Sequence, residues 1–414
     1  MRSAIAVLIL QTAALAAGPT FNKDILPILQ KHCQSCHRAG EIGPMPLLTY
    51  ADTRPWAKAI KQAVAARKMP PWFADPQYGH FANDRRLGAA DVRTIEAWID
   101  AGAPEGDEKD KPAPVKWTEG WNIRADEVFQ MPDPFIVPAT GTLDYVYIVM
   151  PTGFTKDTWV TAVEMRPSAR SVVHHELAIV RPPGSQWMKD AKPFVPYMPP
   201  LPSSNGSDPQ ANPVNMSYEL LGAYSPGMQP QRFDVDHSAK LIPAGSDIVL
   251  QVHYTPNGKT SVQDQTRVGL TLAKEAPQKR FMSAVAASWK WEIPPGDANY
   301  EGHARLTFGE PVELVFVQPH MHLRGKDMTI RLVSPTGESQ TVLSVPHYDF
   351  HWQVIYYFEK PLRLPEGTHV EVTAHWDNSA SNPKNPDASK TVEYGFQSTD
   401  EMLSAAMGVI VDWQ

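Results

Sequence analysis

Apolar residues recur at helical spacing near the start of the chain. Phe21, Ile25, Ile28 and Leu29 would share one face of a helix, and Asn22 is placed to cap its N-terminus. Two further helices are predicted by Trp56, Ile60 and Val64, and by Val92, Ile95, Trp98 and Ile99, with a stop at Gly102-Ala103-Pro104. The first hundred or so residues are therefore expected to be helical.

From Trp117 onward the pattern changes to short alternating runs, such as residues 143–149 and 313–317. Prolines are frequent there and helical periodicity is hard to find, which is typical of antiparallel sandwiches or jelly rolls. The proline-rich stretch from Pro193 through Pro213 predicts a long surface loop. The length fits two all-β domains of similar size, divided near Ala276-Pro277.

Both cysteines lie in one string, Cys33-Gln34-Ser35-Cys36-His37. A C-x-x-C-H string is the attachment signature of a c-type haem, because its two thiols can add to the two vinyl groups of one porphyrin. His37 would then be the proximal iron ligand. A thioredoxin-like redox pair lacks a βαβ setting here, and a half zinc site lacks two further ligands nearby. The framing helices resemble those of small cytochrome c domains, so one covalent haem c is expected.

The distal haem ligand is expected to be Met69, in the loop Lys68-Met69-Pro70-Pro71-Trp72. Small cytochrome c domains present a thioether from such a loop, and His/Met ligation raises the haem potential. Met45 is the competing candidate, but it follows His37 so closely that the chain could hardly reach the opposite haem face. The charged, proline-bearing stretch from Asp107 to Pro114 predicts a linker after this domain.

The N-terminus carries the pattern of a secretory signal. Arg2 precedes an apolar run from Ile5 to Leu10 and a small-residue stretch, with cleavage expected after Ala16 or Ala17. The run is shorter than the ~20 residues needed to cross a bilayer and no later stretch comes closer, so no stable membrane insertion is expected. A net charge of -7 gives no reason to expect nucleic acid as a partner. The expected location is periplasmic or secreted.

Eleven of the fourteen histidines follow Trp117, and five of them are grouped. His320 and His322 are two apart, so a strand would project both from one face toward one ion. His174 and His175 are adjacent and can share a metal only where the strand is irregular, at a bulge or an edge. A lone His253 is more often a core residue than a ligand. Copper is favoured over zinc only if a thioether joins the site. The other histidines are expected to be structural: His80, His237, His303, His347, His351, His369 and His375.

The order of these motifs resembles that of the copper type II, ascorbate-dependent monooxygenases, the family of dopamine β-monooxygenase and peptidylglycine α-hydroxylating monooxygenase. The resemblance spans Trp117 to the C-terminus and rests on His174-His175, Gln251-x-His253-Tyr254, His320-x-His322-Leu-x-Gly-Lys and Thr399-Asp400-Glu401-Met402. It implies two copper ions per chain. His174, His175 and His253 look like the ligands of the electron-transfer copper, and His320, His322 and Met402 those of the copper that binds O2.

The resemblance also implies a fold of two jelly-roll domains whose coppers face each other across a solvent-filled cleft. The expected organisation is multidomain: a signal peptide at 1–17, a small all-α cytochrome c-like haem domain at 18–106, a linker at 107–116, and all-β copper monooxygenase domains at 117–275 and 276–414. Gln318 stands where the peptide-amidating branch has an arginine that holds the substrate carboxylate, which argues against a glycine-extended peptide substrate. Tyr254, Gln251 and Gln318 are candidates for lining residues.

The function predicted from these patterns is a periplasmic copper-dependent monooxygenase that uses O2 to hydroxylate a C–H bond of a small organic substrate. Its electrons would pass through the fused haem from a periplasmic cytochrome or small reductant, although the direction of electron flow stays open. The alternative is a non-catalytic electron-transfer cytochrome fused to a copper-binding β-sandwich. A third possibility is a haem-bearing interaction protein with structural histidines.

Overall fold

The computed structural model describes residues 18–198 and 219–413. The predicted signal peptide at 1–17 and much of the predicted proline-rich loop lie outside the described residues. The chain divides into two compact units. Of the described residues, a helical unit contains those from 18 to Ala39 together with Gly43–Pro70 and Arg86–Val115, and a β unit contains Gly40–Ile42, Pro71–Arg85 and those from Lys116 onward.

The helical unit is built from short helices around one apolar core. Phe21, Ile25 and Leu29 are buried as their spacing predicts, and they pack with Ile95 and Trp98. The helices are a π-helical turn at Phe21–Ile25 that continues into α1 (Leu26–His32), α2 (Tyr50–Thr53), a 3-10 turn at Arg54–Trp56, α3 (Ala57–Ala65), α4 (Ala89–Asp100) and a 3-10 turn at Glu108–Asp110. All three predicted helices are therefore present.

The predicted N-cap is wrong. Thr20 precedes the first turn, whereas Asn22 lies inside the turn with only 1% of its surface exposed. The Asn22 side-chain amide donates to the carbonyl of Asp107, which ties the first turn to the C-terminal end of the unit. Polar residues cap helices when they precede the first turn, but here a tertiary contact determines the position of Asn22.

The β unit consists of short strands that mostly pair antiparallel. Up to residue 275 they are β1 (Glu127–Gln130), β2 (Phe135–Val137), β3 (Val146–Pro151), β4 (Thr158–Arg166), β5 (Val173–Arg181), β6 (Glu219–Tyr224), β7 (Gln231–Arg232), β8 (Ser238–Ile242), β9 (Asp247–Tyr254), β10 (Val262–Asp264) and β11 (Arg267–Leu272). The later ones are β12 (Lys279–Ser288), β13 (Glu292–Ile293), β14 (Tyr300–Thr307), β15 (Val312–His320), β16 (Gly325–Val333), β17 (Ser339–Val345), β18 (Tyr356–Leu364), β19 (His369–Trp376), β20 (Val392–Glu393) and β21 (Leu403–Asp412).

One nine-stranded sheet runs through the whole β unit in the order β1-β11-β4-β8-β12-β21-β15-β18, with β7 beside β4. Its two halves join where β8 and β12 pair in parallel, with Lys279 opposite Ser238. A four-stranded sheet, β3-β9-β5-β6, accompanies the first half, and a second, β14-β19-β16-β17, accompanies the second half. Two buried apolar cores fill the β unit, and the one in the first half also contains Phe281, Phe316 and Ile410 from the second half. The mostly β character and the sandwich arrangement predicted after Trp117 are therefore confirmed.

The segment Pro71–Arg85 belongs to the β unit although it interrupts the helical unit in sequence. Trp72 and Phe81 are buried there against Tyr356, with ring centroids 4.9 and 5.3 Å away. The Asn83 side chain donates to the carbonyl of Ile355 and accepts from the backbone N–H of Tyr357. The segment is thus held by aromatic packing and by the Asn83 side-chain amide, which makes two hydrogen bonds to backbone groups of residues 355 and 357.

No helix in the described ranges is long and apolar enough to cross a bilayer.

His375, on β19, gives the β unit a pH-dependent contribution to stability. Burial lowers its pKa, but hydrogen bonds to Asp327 and Glu301, at 2.7 and 3.1 Å, outweigh burial and raise the pKa above 6.5. A raised folded pKa stabilises the fold below the unfolded pKa, and this stabilisation is lost as the pH rises through the folded value. We expect Asp327→Asn to flatten the fall in melting temperature above pH 6.5. The exposed His347, changed to Gln, is the control; an unchanged pH profile in Asp327→Asn would contradict the assignment.

Candidate functional site

His174, His175 and His253 lie on the adjacent strands β5 and β9 and are called the first cluster. Val173 pairs with Tyr254 and His175 with His253, so the register shifts at His174. This is the bulge that two adjacent histidines need in order to face one ion. A strand of regular alternation would have sent the two side chains to opposite faces.

The three imidazoles of the first cluster are within reach of one metal ion. One nitrogen from each ring lies within 4.8 Å of the others. Nδ1 of His174 and Nδ1 of His175 are 3.2 Å apart. Nε2 of His174 and Nδ1 of His253 are buried without a hydrogen-bond partner among the described residues. Buried polar atoms are normally satisfied, and a soft or borderline ion bound by imidazole would satisfy this set.

The environment keeps these imidazoles neutral. Burial lowers the pKa of His174 to about 3 and that of His253 to about 4, and the neighbouring histidines add to the effect. The pKa of His175 is lowered well below 6.5 for the same reasons. Neutral imidazole is the form that ligates a metal, so little proton release would accompany binding at neutral pH.

His320 and His322 form the second pair, at the end of β15. Their ring centroids are 5.2 Å apart and the rings are perpendicular. Nδ1 of His320 lies 3.0 Å from Oε1 of Gln353, and Nδ1 of His322 lies 3.2 Å from the carbonyl of Asp400. Because both partners accept hydrogen bonds, each Nδ1 carries the proton and each Nε2 is left for an ion. Burial lowers the pKa of both rings, that of His320 to about 4.

Met402 lies on the segment that faces the second pair. β15 and β21 are antiparallel, and the last ladder pair is His320 with Ser404. Met402 immediately precedes β21, and His322 follows the end of β15 by two residues. The side chain of Met402 is partly buried. The structure thus brings the segment that carries Met402 to the segment that carries the two histidines.

Glu401 fixes the backbone around the second pair. Its carboxylate accepts from the backbone N–H groups of His322 and Arg324, at 2.7 and 2.6 Å, and from Nε1 of Trp376 at 2.9 Å. The residue is fully buried, and burial raises its pKa to about 7. Arg324, also buried, donates to Asn378 and to the carbonyl of Thr399. The His-x-His segment and the segment before Met402 are therefore held together by one hydrogen-bond network.

The loop between β17 and β18 contacts both histidine groups. The ring of Phe350 lies 4.6 Å from that of His174 and 5.6 Å from that of His322. Phe350 is only 6% exposed. Where the resemblance implies a solvent-filled cleft, an aromatic side chain lies between the two groups. Sequence reasoning missed Phe350 and Gln353; the dense aromatic string from Tyr348 to Trp352 is the one signal that could have drawn attention to them.

Tyr348 of the same loop anchors the residue between the two histidines. Its hydroxyl donates to the carbonyl of Met321 at 2.8 Å and accepts from the N–H of Met321 at 3.1 Å. Both groups are buried, so Tyr348→Phe would leave them unsatisfied.

We expect Tyr348→Phe to lower the free energy of unfolding by about 2 kcal/mol, as measured by denaturant titration. Tyr300→Phe, whose hydroxyl makes no hydrogen bond with a described residue, is the matched control and should change it by less than about 0.5 kcal/mol. Equal effects of the two substitutions would show that the Met321 contact contributes nothing.

The three candidate lining residues have other roles. The Tyr254 hydroxyl donates to Asp264 and its ring stacks on Phe135. The Gln251 amide donates to the hydroxyl of Tyr147. The Gln318 amide donates to the carbonyl of Gln353 and so holds the loop that carries Phe350. Position 318 thus has a positioning role for this loop.

The Cys33–His37 string follows α1 in the helical unit. Nδ1 of His37 lies 3.1 Å from the carbonyl of Met45, which orients the ring and leaves Nε2 for a ligand. A side chain at Gly43 would lie 2.8 Å from this Nδ1, so the loop can close over His37 only with glycine there. Burial raises the pKa of Cys33 to about 12. Met45 packs on the core of the helical unit, and Met69 is partly buried in the loop after α3.

Residues 286–405 match the family described as copper type II ascorbate-dependent monooxygenase, C-terminal domain. The match contains His320, His322 and Met402 and covers under a third of the chain. It supports copper as a cofactor, O2 and a small molecule as reactants, and an oxidoreductase of the monooxygenase kind.

No curated protein matches the chain. Among solved structures, the chain is similar to one of Broad Bean Stain Virus, with 7% identity over 72% of this chain and 95% of that chain and a TM-score of 0.28. It is also similar to PNGF-II, with 10% identity over 69% of this chain and 65% of that chain and a TM-score of 0.29. Scores this low carry no conclusion about fold or function.

Proposed function

We propose that the protein is a periplasmic copper-dependent monooxygenase that hydroxylates a C–H bond of a small organic substrate. The observation that carries the proposal is the pairing of two histidine groups in one β unit, one of them inside the family match. His174, His175 and His253 would hold one copper, and His320, His322 and Met402 the other. The two β-sandwich halves would be the two jelly-roll domains of this family.

Bound copper would supply the redox chemistry in which one atom of O2 enters the C–H bond and the other leaves as water, at the expense of two electrons and two protons. The protein's own residues prepare the ligands. Gln353 and the Asp400 carbonyl hold the Nδ1 protons of the second pair, and Glu401 holds its backbone. Phe350 excludes water where it contacts His174 and His322. The Met402 thioether favours Cu(I), the state that reacts with O2.

The electrons would arrive one at a time through a c-type haem in the helical unit. Cys33 and Cys36 would attach it and His37 would ligate its iron, a role supported by the motif and by the Met45 carbonyl that orients the ring. Met69 would be the distal ligand. Covalent haem attachment and the N-terminal signal pattern both favour a periplasmic location, with a periplasmic cytochrome or small reductant as donor.

Metal and haem content of the mature protein is the first test, by elemental analysis and a pyridine haemochrome spectrum. We expect about one haem and about two copper ions per chain after loading. O2 consumption by the reduced, copper-loaded protein then separates an oxygenase from a copper-binding electron carrier. A chain that takes up no copper would contradict the proposal, and so would a copper-loaded chain that consumes no O2 with any substrate tested.

Met402→Ala should abolish O2 consumption while leaving the first cluster able to bind copper. The thioether favours the reduced ion, so its loss weakens the state that reacts with O2. The half-exposed Met198, changed to Ala, is the control. O2 consumption at the wild-type rate in Met402→Ala would show that Met402 is not a ligand of the copper at the second pair.

A further inference from the structure

A second feature of the β unit is a pocket of about 150 Å³ beside the loop that carries Phe350. Its walls come from three separated segments: the end of Pro71–Arg85, the turn at 226–229, and the stretch from Trp352 to Tyr357. Ligand pockets are concave, mostly apolar and provided with a few polar groups. This volume is small for such a pocket, so its ligand would be a small molecule.

The pocket contains one charged side chain. Arg85 lines it, no carboxylate among the described residues pairs with its guanidinium, and the group on which its charge acts is the buried Tyr356 hydroxyl. No acidic residue is among the lining residues. The other lining residues include the apolar Trp352, Val354 and Ile355. An arginine without a carboxylate partner, in a pocket with apolar lining residues, suits an anionic group on an apolar body.

Gln353 supplies a second polar group and connects the pocket to the second pair. It is 7% exposed, its Oε1 lies 3.0 Å from Nδ1 of His320, and its Nε2 is buried without a partner. A buried amide N–H₂ without an acceptor is uncommon in native proteins. A ligand carboxylate or carbonyl would provide that acceptor.

The segment that carries Arg85 is held in place through the nearby Asn83. The Asn83 side chain donates to the carbonyl of Ile355 and accepts from the N–H of Tyr357, so the segment cannot move away without breaking both hydrogen bonds. Arg85 is therefore presented from a fixed backbone, which lowers the entropic cost of binding.

We propose that this pocket binds a small apolar molecule carrying a single carboxylate. Arg85 pairs with the carboxylate, and Gln353, through its hydrogen bond to His320, couples binding of the ligand to the second pair. The binding does not depend on copper. The ligand is either the substrate or an effector of the second pair; both assignments rest on the proposed function, whereas the binding itself does not.

Phenylacetate is the probe and phenylacetamide its neutral counterpart. The mature, copper-free protein is titrated, and binding is followed by calorimetry and by the fluorescence of Trp352, identified as the signal that is absent in Trp352→Phe. Phenylacetate should show saturable binding, and the amide should bind more weakly. Arg85→Gln should weaken phenylacetate binding by about 10- to 100-fold and leave phenylacetamide binding nearly unchanged. Arg86→Gln, at the next position, is the matched control and should bind like wild type.

Equal binding of the acid and the amide, or unaltered phenylacetate binding in a folded Arg85→Gln protein, would overturn the proposal, as would the absence of binding to wild type. In the copper-loaded, reduced protein, hydroxylation of the probe identifies a substrate. A shift in the Cu(II) spectrum of the second pair without conversion identifies an effector. If binding depends on Arg85 but the protein never consumes O2, the proposal of a carboxylate-binding pocket stands and the proposed oxygenase function is wrong.

Discussion

Replacing His322 with alanine should lower the copper content of the loaded protein by about one ion per chain and O2 consumption by at least about 100-fold. The ring is one of two imidazoles of the second pair, and its Nδ1 already bonds to the Asp400 carbonyl. Removing it leaves His320 and Met402, too few ligands to hold copper. Elemental analysis after dialysis against a weak chelator measures the first effect, and an oxygen electrode the second.

His351→Ala is the matched control, because His351 is exposed and its ring lies 6.3 Å from that of His174. It should retain copper and O2 consumption. His175→Ala should also lose about one ion, but from the first cluster, so the two variants should differ in which Cu(II) spectrum disappears. Retention of both ions in a folded His322→Ala protein would mean that the second pair is not a copper site.

The sequence alone was enough to identify the histidine groups but not to predict how their side chains are arranged. The alternating run at 313–317 predicts the strand that leads to His320, yet alternation alone sends the adjacent His174 and His175 to opposite faces. The bulge at His174 depends on pairing with β9, about eighty residues away, and nothing local encodes it. The same limit applies to Met402, whose segment reaches the second pair through the pairing of β15 with β21.

Two features were not predicted from the sequence, because the residues that they contact are distant in the chain. Phe350 has the pattern of an ordinary buried aromatic residue, and only the fold places it against His174 and His322. The segment Pro71–Arg85 contains prolines and polar residues and resembles a surface loop. Its core partners, Tyr356 and Phe358, follow more than 270 residues later. Long-range contacts of this kind leave no periodicity in the segment itself.

Glu401→Ala should destabilise the β unit by about 3–5 kcal/mol and lower its melting temperature by on the order of 10 °C. The carboxylate satisfies the N–H groups of His322 and Arg324 and the indole N–H of Trp376. Alanine would leave these three donors without an acceptor in a fully buried place. It would also leave the buried Arg324 without the nearby charge of Glu401. Unpaired buried groups of this kind are among the few causes of large single-site losses in stability.

Two variants separate the charge from the shape of Glu401. Glu401→Gln keeps the volume and one acceptor oxygen but turns an N–H₂ group toward donors, so it should lose part of the stability. Glu371→Ala removes a carboxylate that is 39% exposed and 3.5 Å from His369, and it should change stability by less than about 0.5 kcal/mol. Because Glu401 holds the His322 backbone, copper affinity of the second pair should fall about 10- to 100-fold in Glu401→Gln. A Glu401→Ala protein as stable as Glu371→Ala would show that this network does not hold the site.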